Sequence, residues 1–112
     1  MKIKSVLVIL AFAIIVLLSG CINQTGTQTD VDKATSACVN ECRTWLNSGK
    51  DLSNGPCLLN PVPDTPDWVC DVAHKPRQNV DDDPKNQCSA FKEGRAHHFI
   101  EVNSNCETIN TW

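Results

Sequence analysis

Six cysteines fall within the last eighty residues of this chain, at positions 38, 42, 57, 70, 88 and 106. An even count at that density, in an oxidising environment, reads as a framework of three disulfides. The apolar inventory argues the same way. From Lys33 onward the chain carries only seventeen large apolar side chains other than cysteine. A domain so small buries a modest share of its surface and usually needs covalent staples. Spacing then prunes the pairings. Cys38 and Cys42 lie one helical turn apart, where Cβ atoms are about 5–6 Å from each other, whereas a disulfide needs roughly 3.5–4.5 Å. They should not bond to each other while the helix is intact, which removes three of the fifteen pairings and leaves twelve. Among these we expect the helix cysteines to reach Cys70 and Cys106, leaving Cys57 with Cys88.

The compartment is set by the first twenty residues. Lys2 and Lys4 precede thirteen consecutive apolar residues, Val6–Leu18. As a helix this run is about 20 Å long, short of the roughly 30 Å of a bilayer core. It fits the apolar region of a secretory signal. Ser19-Gly20 supplies small residues for a cut, and Leu18-Ser19-Gly20-Cys21 resembles the lipobox of secreted lipoproteins. The resemblance implies a lipid on the thiol of Cys21, cleavage just before it, and a protein tethered to the outer face of the cell membrane. Two lipid chains, at about 0.8 kcal/mol per buried CH₂, hold a protein at a membrane far better than one. Cys21 is thereby separated from the other six, and the spare thiol of an odd set of seven is accounted for.

Loss of residues 1–20 leaves eight basic against thirteen acidic residues, a formal charge of −5. A negative domain without a basic cluster has no electrostatic footprint for nucleic acid or for anionic head groups. The expected contacts are the membrane, through the lipid, and an extracytoplasmic protein or ligand. No cofactor is expected beyond the covalent lipid on Cys21.

The chain divides into a signal at 1–20, a Thr- and Gln-rich tether at 21–32, and a cysteine-rich domain at 33–112. A tether of this composition has almost nothing to bury and behaves as a flexible spacer. Asn23-Gln24-Thr25 within it matches a glycosylation sequon. From Lys33 a helical pattern begins, with Ala34, Cys38, Cys42 and Trp45-Leu46 on one face, stopped at Gly49. Prolines at 56, 61, 63 and 66 make 51–67 a constrained loop, in which Cys57-Leu58-Leu59 must dock on something. Trp68–His74 reads as a strand with Trp68, Cys70 and Val72 on one side. Asp83-Pro84 starts, and Gly94 closes, a short helix carrying Cys88 and Phe91. Ala96–Val102 is a second strand, and a turn at 103–105 leads to a third around Cys106–Ile109. The fold class is α+β: one main N-terminal helix, a short second helix and a two- to three-stranded antiparallel sheet, stapled by disulfides.

Other chemistry competes with plain staples. Redox catalysis favours Cys-X-X-Cys at a helix start, but the spacing here is Cys-X-X-X-Cys inside one. Cysteine-bound zinc wants Cys-X₂-Cys and reduced thiols, neither of which this chain offers outside a cell. A toxin-like fold needs a Cys-X-Cys strand that is missing from the sequence. His97 and His98, adjacent in a strand, should point to opposite faces, so they cannot chelate one ion together. Either could join His74 at the end of the other strand, giving a small ligand- or metal-binding module. Asp81-Asp82-Asp83 lacks the alternating ligands and central Gly of a calcium loop and reads as a solvated turn. Trp45, Trp68 and Trp112 read as core or disulfide-packing residues, with an exposed contact point as the alternative for the terminal indole of Trp112. No triad, phosphate loop or paired-carboxylate signal appears, and no catalysis is expected.

The Thr/Gln-rich spacer after "GC", with the segments "GPCL", "WVCDVAH" and "NQC", gives residues 36–109 a broader likeness. The chain resembles small cysteine-rich archaeal lipoproteins, a resemblance that implies a location and no activity. The expectation is a membrane-anchored lipoprotein bearing a non-catalytic, disulfide-stabilised interaction or structural module.

Overall fold

Thr29 opens the first helix. Its hydroxyl accepts the amide N–H of Asp32 (3.3 Å), while the Asp32 carboxylate accepts the Thr29 amide at 3.2 Å. This reciprocal cap starts α1, Asp30–Asn47, three residues before the apolar pattern predicts. Residues 30–32 of the expected tether are therefore its first turn. The structure, a computed structural model, describes residues 28–112. The lipobox with Cys21, and the sequon at Asn23, lie outside the described residues. Among the described residues no helix is long and apolar enough to cross a membrane.

Ala34, Cys38 and Cys42 are the buried stripe of α1. Trp45 is half-buried, its indole N–H donating to Glu41 Oε1 (2.9 Å) and its ring lying 4.2 Å from Lys50 Nζ. Leu46, expected on the buried face, is 41% exposed. The helix ends with Gly49 at φ +75°, a conformation cheap only for glycine.

Four strands follow: β1 (Cys57–Leu59), β2 (Trp68–Val72), β3 (His98–Val102) and β4 (Thr108–Thr111), in the spatial order β1-β2-β3-β4. The α+β class stands, with two differences. The Cys57–Leu59 segment docks as an edge strand, so the sheet has four strands. Its central pair, β2 and β3, is parallel, while both outer pairs are antiparallel. Parallel neighbours need a crossover of a dozen or more residues. Residues 73–97 supply it, through two 3₁₀ turns (Asn79–Asp82 and Pro84–Asn86) and the one-turn helix α2, Ser89–Lys92. Asp83 caps the second turn, as the Asp-Pro pair predicts, by accepting the Lys85 amide.

The sheet's two faces differ. Cys70, Val72, Ile100 and Val102 pack with Ala34, Cys38, Cys42, Leu52, Leu58 and Val62 into the main core under α1. The opposite face carries Val69, against which Cys88, Ala90, Ala96, Phe91 and Phe99 pack as a smaller cluster. Three disulfides tie the layers together: Cys38–Cys70 and Cys42–Cys106 clamp α1 to the sheet side, and Cys57–Cys88 ties β1 to the segment before α2.

Candidate functional site: a carboxylate cleft on the second sheet face

Side chains alternate across a sheet, so residues one apart from the core positions emerge on the other face. There Val69 and Asp71 of β2, Phe99 and Glu101 of β3 and Asn110 of β4 form the floor of a cleft of about 470 Å³. Gln87, Cys88, Phe91 and Lys92 form its roof, and Arg77 stands at the rim. The roof is held by the Cys57–Cys88 bridge and by Asn60. The Asn60 carboxamide accepts the Ala90 amide (2.8 Å) and donates to Ser89 Oγ (2.7 Å). Phe91 meets Phe99 edge-on at 5.2 Å between centroids. The ring of Trp112 lies 5.9 Å from both and is 65% exposed, which extends the aromatic wall to the surface.

Two acids dominate the floor. Asp71 and Glu101 are register partners on the parallel pair. Glu101 is buried and has one donor on each oxygen, with acceptor capacity to spare: Arg77 Nη1 donates to its Oε2 (3.1 Å) and Asn110 Nδ2 to its Oε1 (3.3 Å). Asp71 Oδ1 is buried and accepts no hydrogen bond. Burial above all, then the negative charge of Glu101 and more weakly that of Asp81, push the Asp71 carboxyl up to about 8, against the pull of Arg77. At neutral pH it holds its proton. The cleft thus pairs a protonated acid with a charged one, beside aromatic faces.

Below the rim lies a buried acid of the opposite kind. Asp81 is 2% exposed. Its Oδ2 accepts the amides of His74 (3.0 Å) and Gln78 (2.9 Å), and its Oδ1 pairs with His74 Nδ1 at 2.8 Å. Burial raises its pKa, yet these donors outweigh it and hold the carboxyl below the ordinary range. The expected solvated turn is therefore wrong for Asp81, which is a structural hub, though Asp82 and Asp83 do reach solvent. Arg77 links hub and cleft, donating to Asp82 Oδ1 (2.9 Å) and the Asp81 carbonyl (3.4 Å) as well as to Glu101.

The structure does not bring His74 to His97 or His98. Trp68 is the register partner of His98, and His74 lies six residues further along, on the order of 15–20 Å away. An antiparallel pair would have joined them; the parallel one sends them to opposite ends of the sheet. His97 and His98, expected to diverge, instead share Asp67: His97 Nδ1 lies 2.6 Å from Oδ1 and His98 Nε2 3.5 Å from Oδ2. His97 precedes the strand, so strand alternation does not govern it. Its hydrogen bond lowers the Asp67 pKa. Among the described residues, no three His, Cys, Asp or Glu side chains are placed to hold a metal ion.

Sequence reasoning missed Asp71, Glu101, Arg77 and Asn60. A signal for the two acids was present. Trp68-Val-Cys-Asp-Val72 and His98-Phe-Ile-Glu-Val102 carry an acid at the same fourth position, between apolar residues on either side. Comparison with known proteins finds no matching family model, no matching curated protein and no matching solved structure.

Proposed function

We propose that this chain is a lipid-anchored, extracytoplasmic lipoprotein whose disulfide-stapled domain is a non-catalytic binding module. One observation carries the binding reading. A rigid frame of three bridges supports an open, polar-floored cleft with an unsatisfied buried oxygen, a feature that costs stability and serves no packing purpose. The anchor reading rests on Leu18–Cys21 and on the oxidised cysteines, which suit an exterior compartment.

The test is to express the full chain in a host that processes lipoproteins. Wild type should stay in salt-washed membranes with a lipid-modified peptide beginning at Cys21, and Cys21→Ser should be released or left unprocessed. An unmodified Cys21 in membrane-retained protein would defeat the anchor reading.

A further inference from the structure

We propose that the cleft binds small organic monocations, alkylammonium compounds with an apolar body, the nitrogen seated between Asp71 and Glu101 and the body against Phe91 and Phe99. This rests on the reading of the domain as a binding module.

Four observations converge. The two acids stand on one face of adjacent strands, about 4.8 Å apart at the backbone, so one N–H₃⁺ group can reach both. Asp71 Oδ1 is a buried acceptor with no donor, and an ammonium supplies donors and no acceptor. Phe91 and Phe99, both lining the cleft, offer aromatic contact to the cation and apolar contact to the body. Finally, burial first and the neighbouring Glu101 second keep Asp71 protonated near neutrality, so a bound cation would take the place of that proton. An ammonium replaces that proton: the Asp71 O–H bond breaks, the proton passes to buffer, and the carboxylate pairs with the bound nitrogen.

The charged groups facing Asp71 fix the ligand's charge. Glu101 on β3 and Asp81 in the crossover are negative, Arg77 is positive but spent on Glu101 and Asp82, and Lys92 on α2 closes the roof. From the neighbouring strands no charge is added: the β1 register partner of Asp71 is the Cys88-bonded Cys57, and β4 contributes Asn110 to the lining. Lys92 opposes a second positive nitrogen, which excludes polyamines and favours a single charge.

The experiment is calorimetric titration of the full chain, in non-ionic detergent, with benzylammonium and with the neutral isostere benzyl alcohol. It is run from pH 6 to 8 in two buffers of different ionisation enthalpy. Benzylammonium should bind saturably and at least tenfold more tightly than benzyl alcohol. Its affinity should rise close to tenfold per pH unit between 6 and 7, with about one proton released per ligand. Asp71→Asn, shown folded by its near-UV circular dichroism, should abolish both the pH slope and the proton release. Equal binding of the alcohol, a pH-independent affinity in wild type, or no saturable benzylammonium binding would each overturn the proposal. The wild-type titration decides this even if the variant does not fold, and the Cys21→Ser result bears on the anchor alone.

Discussion

Asp71 and Glu101 face each other across the parallel pair at the centre of the sheet, one buried oxygen of Asp71 unpaired and both oxygens of Glu101 bonded. The asymmetry makes Asp71 a cost to the folded state. Between its unfolded pKa near 3.8 and its folded value of about 8, the native protein holds a proton that the unfolded chain has lost. Stability from this group therefore falls as pH rises through that window and levels off above it.

Asp71→Asn should remove that dependence. The variant should be more stable than wild type at pH 8, by an amount on the order of a few kcal/mol, and the two should converge near pH 4. Thermal unfolding at pH 4, 6 and 8 measures this. A wild-type midpoint that climbs steadily from pH 5 to 8 would contradict the raised pKa.

Asp81 predicts the reverse. Its folded pKa is depressed, so the stability it contributes is present above about 3.8 and lost as pH falls through the folded value. Asp81→Ala leaves the His74 and Gln78 amides and the His74 ring without their acceptor. It should cost roughly 3 kcal/mol at pH 7, measured by denaturant unfolding.

Gly55 guards the same hub. It sits at φ +65°, and a Cβ there would fall 2.6 Å from Asp81 Oδ1 and 2.9 Å from the Val72 carbonyl. Gly55→Ala should lower stability by about 2 kcal/mol, a fall of roughly 10 °C in Tm for a domain this small. Gly49→Ala, with nothing within 4 Å of its Cβ, should cost less.

These residues show where the sequence was readable. Ala34, Cys38 and Cys42 announced the buried stripe of α1 because a helix repeats its face every three to four residues. The same spacing argument kept Cys38 and Cys42 apart and sent them to other segments. Pairing direction was not readable. The strands at 68–72 and 98–102 carry the same apolar alternation whichever way they run, and the helix-poor crossover resembles a loop. That hid the cleft, whose floor depends on register. Asp81 was hidden for another reason: its burial depends on donors from His74 and Gln78 and on room left by Gly55, which a run of three aspartates does not reveal.

Separate removal of the bridges should rank them. By loop-closure entropy, Cys42–Cys106, spanning 64 residues, contributes about 4.3 kcal/mol, against about 3.7 for Cys38–Cys70 and Cys57–Cys88, spanning 32 and 31. Paired Ser replacements, followed by denaturant unfolding, test the order. Loss of Cys57–Cys88 should in addition loosen the cleft roof and weaken benzylammonium binding more than its stability cost alone predicts.

The proposed division of the seven cysteines is one anchor and three bridges. The direct measurement is the intact mass of the protein recovered from membranes, before and after reduction, with thiol alkylation on each sample. The mature chain should begin at a lipid-bearing Cys21, react with no alkylating reagent while native, and gain the mass of six hydrogens on reduction, two for each bridge. A native protein with any free thiol among residues 38–106, or with an unlipidated Cys21, would contradict it.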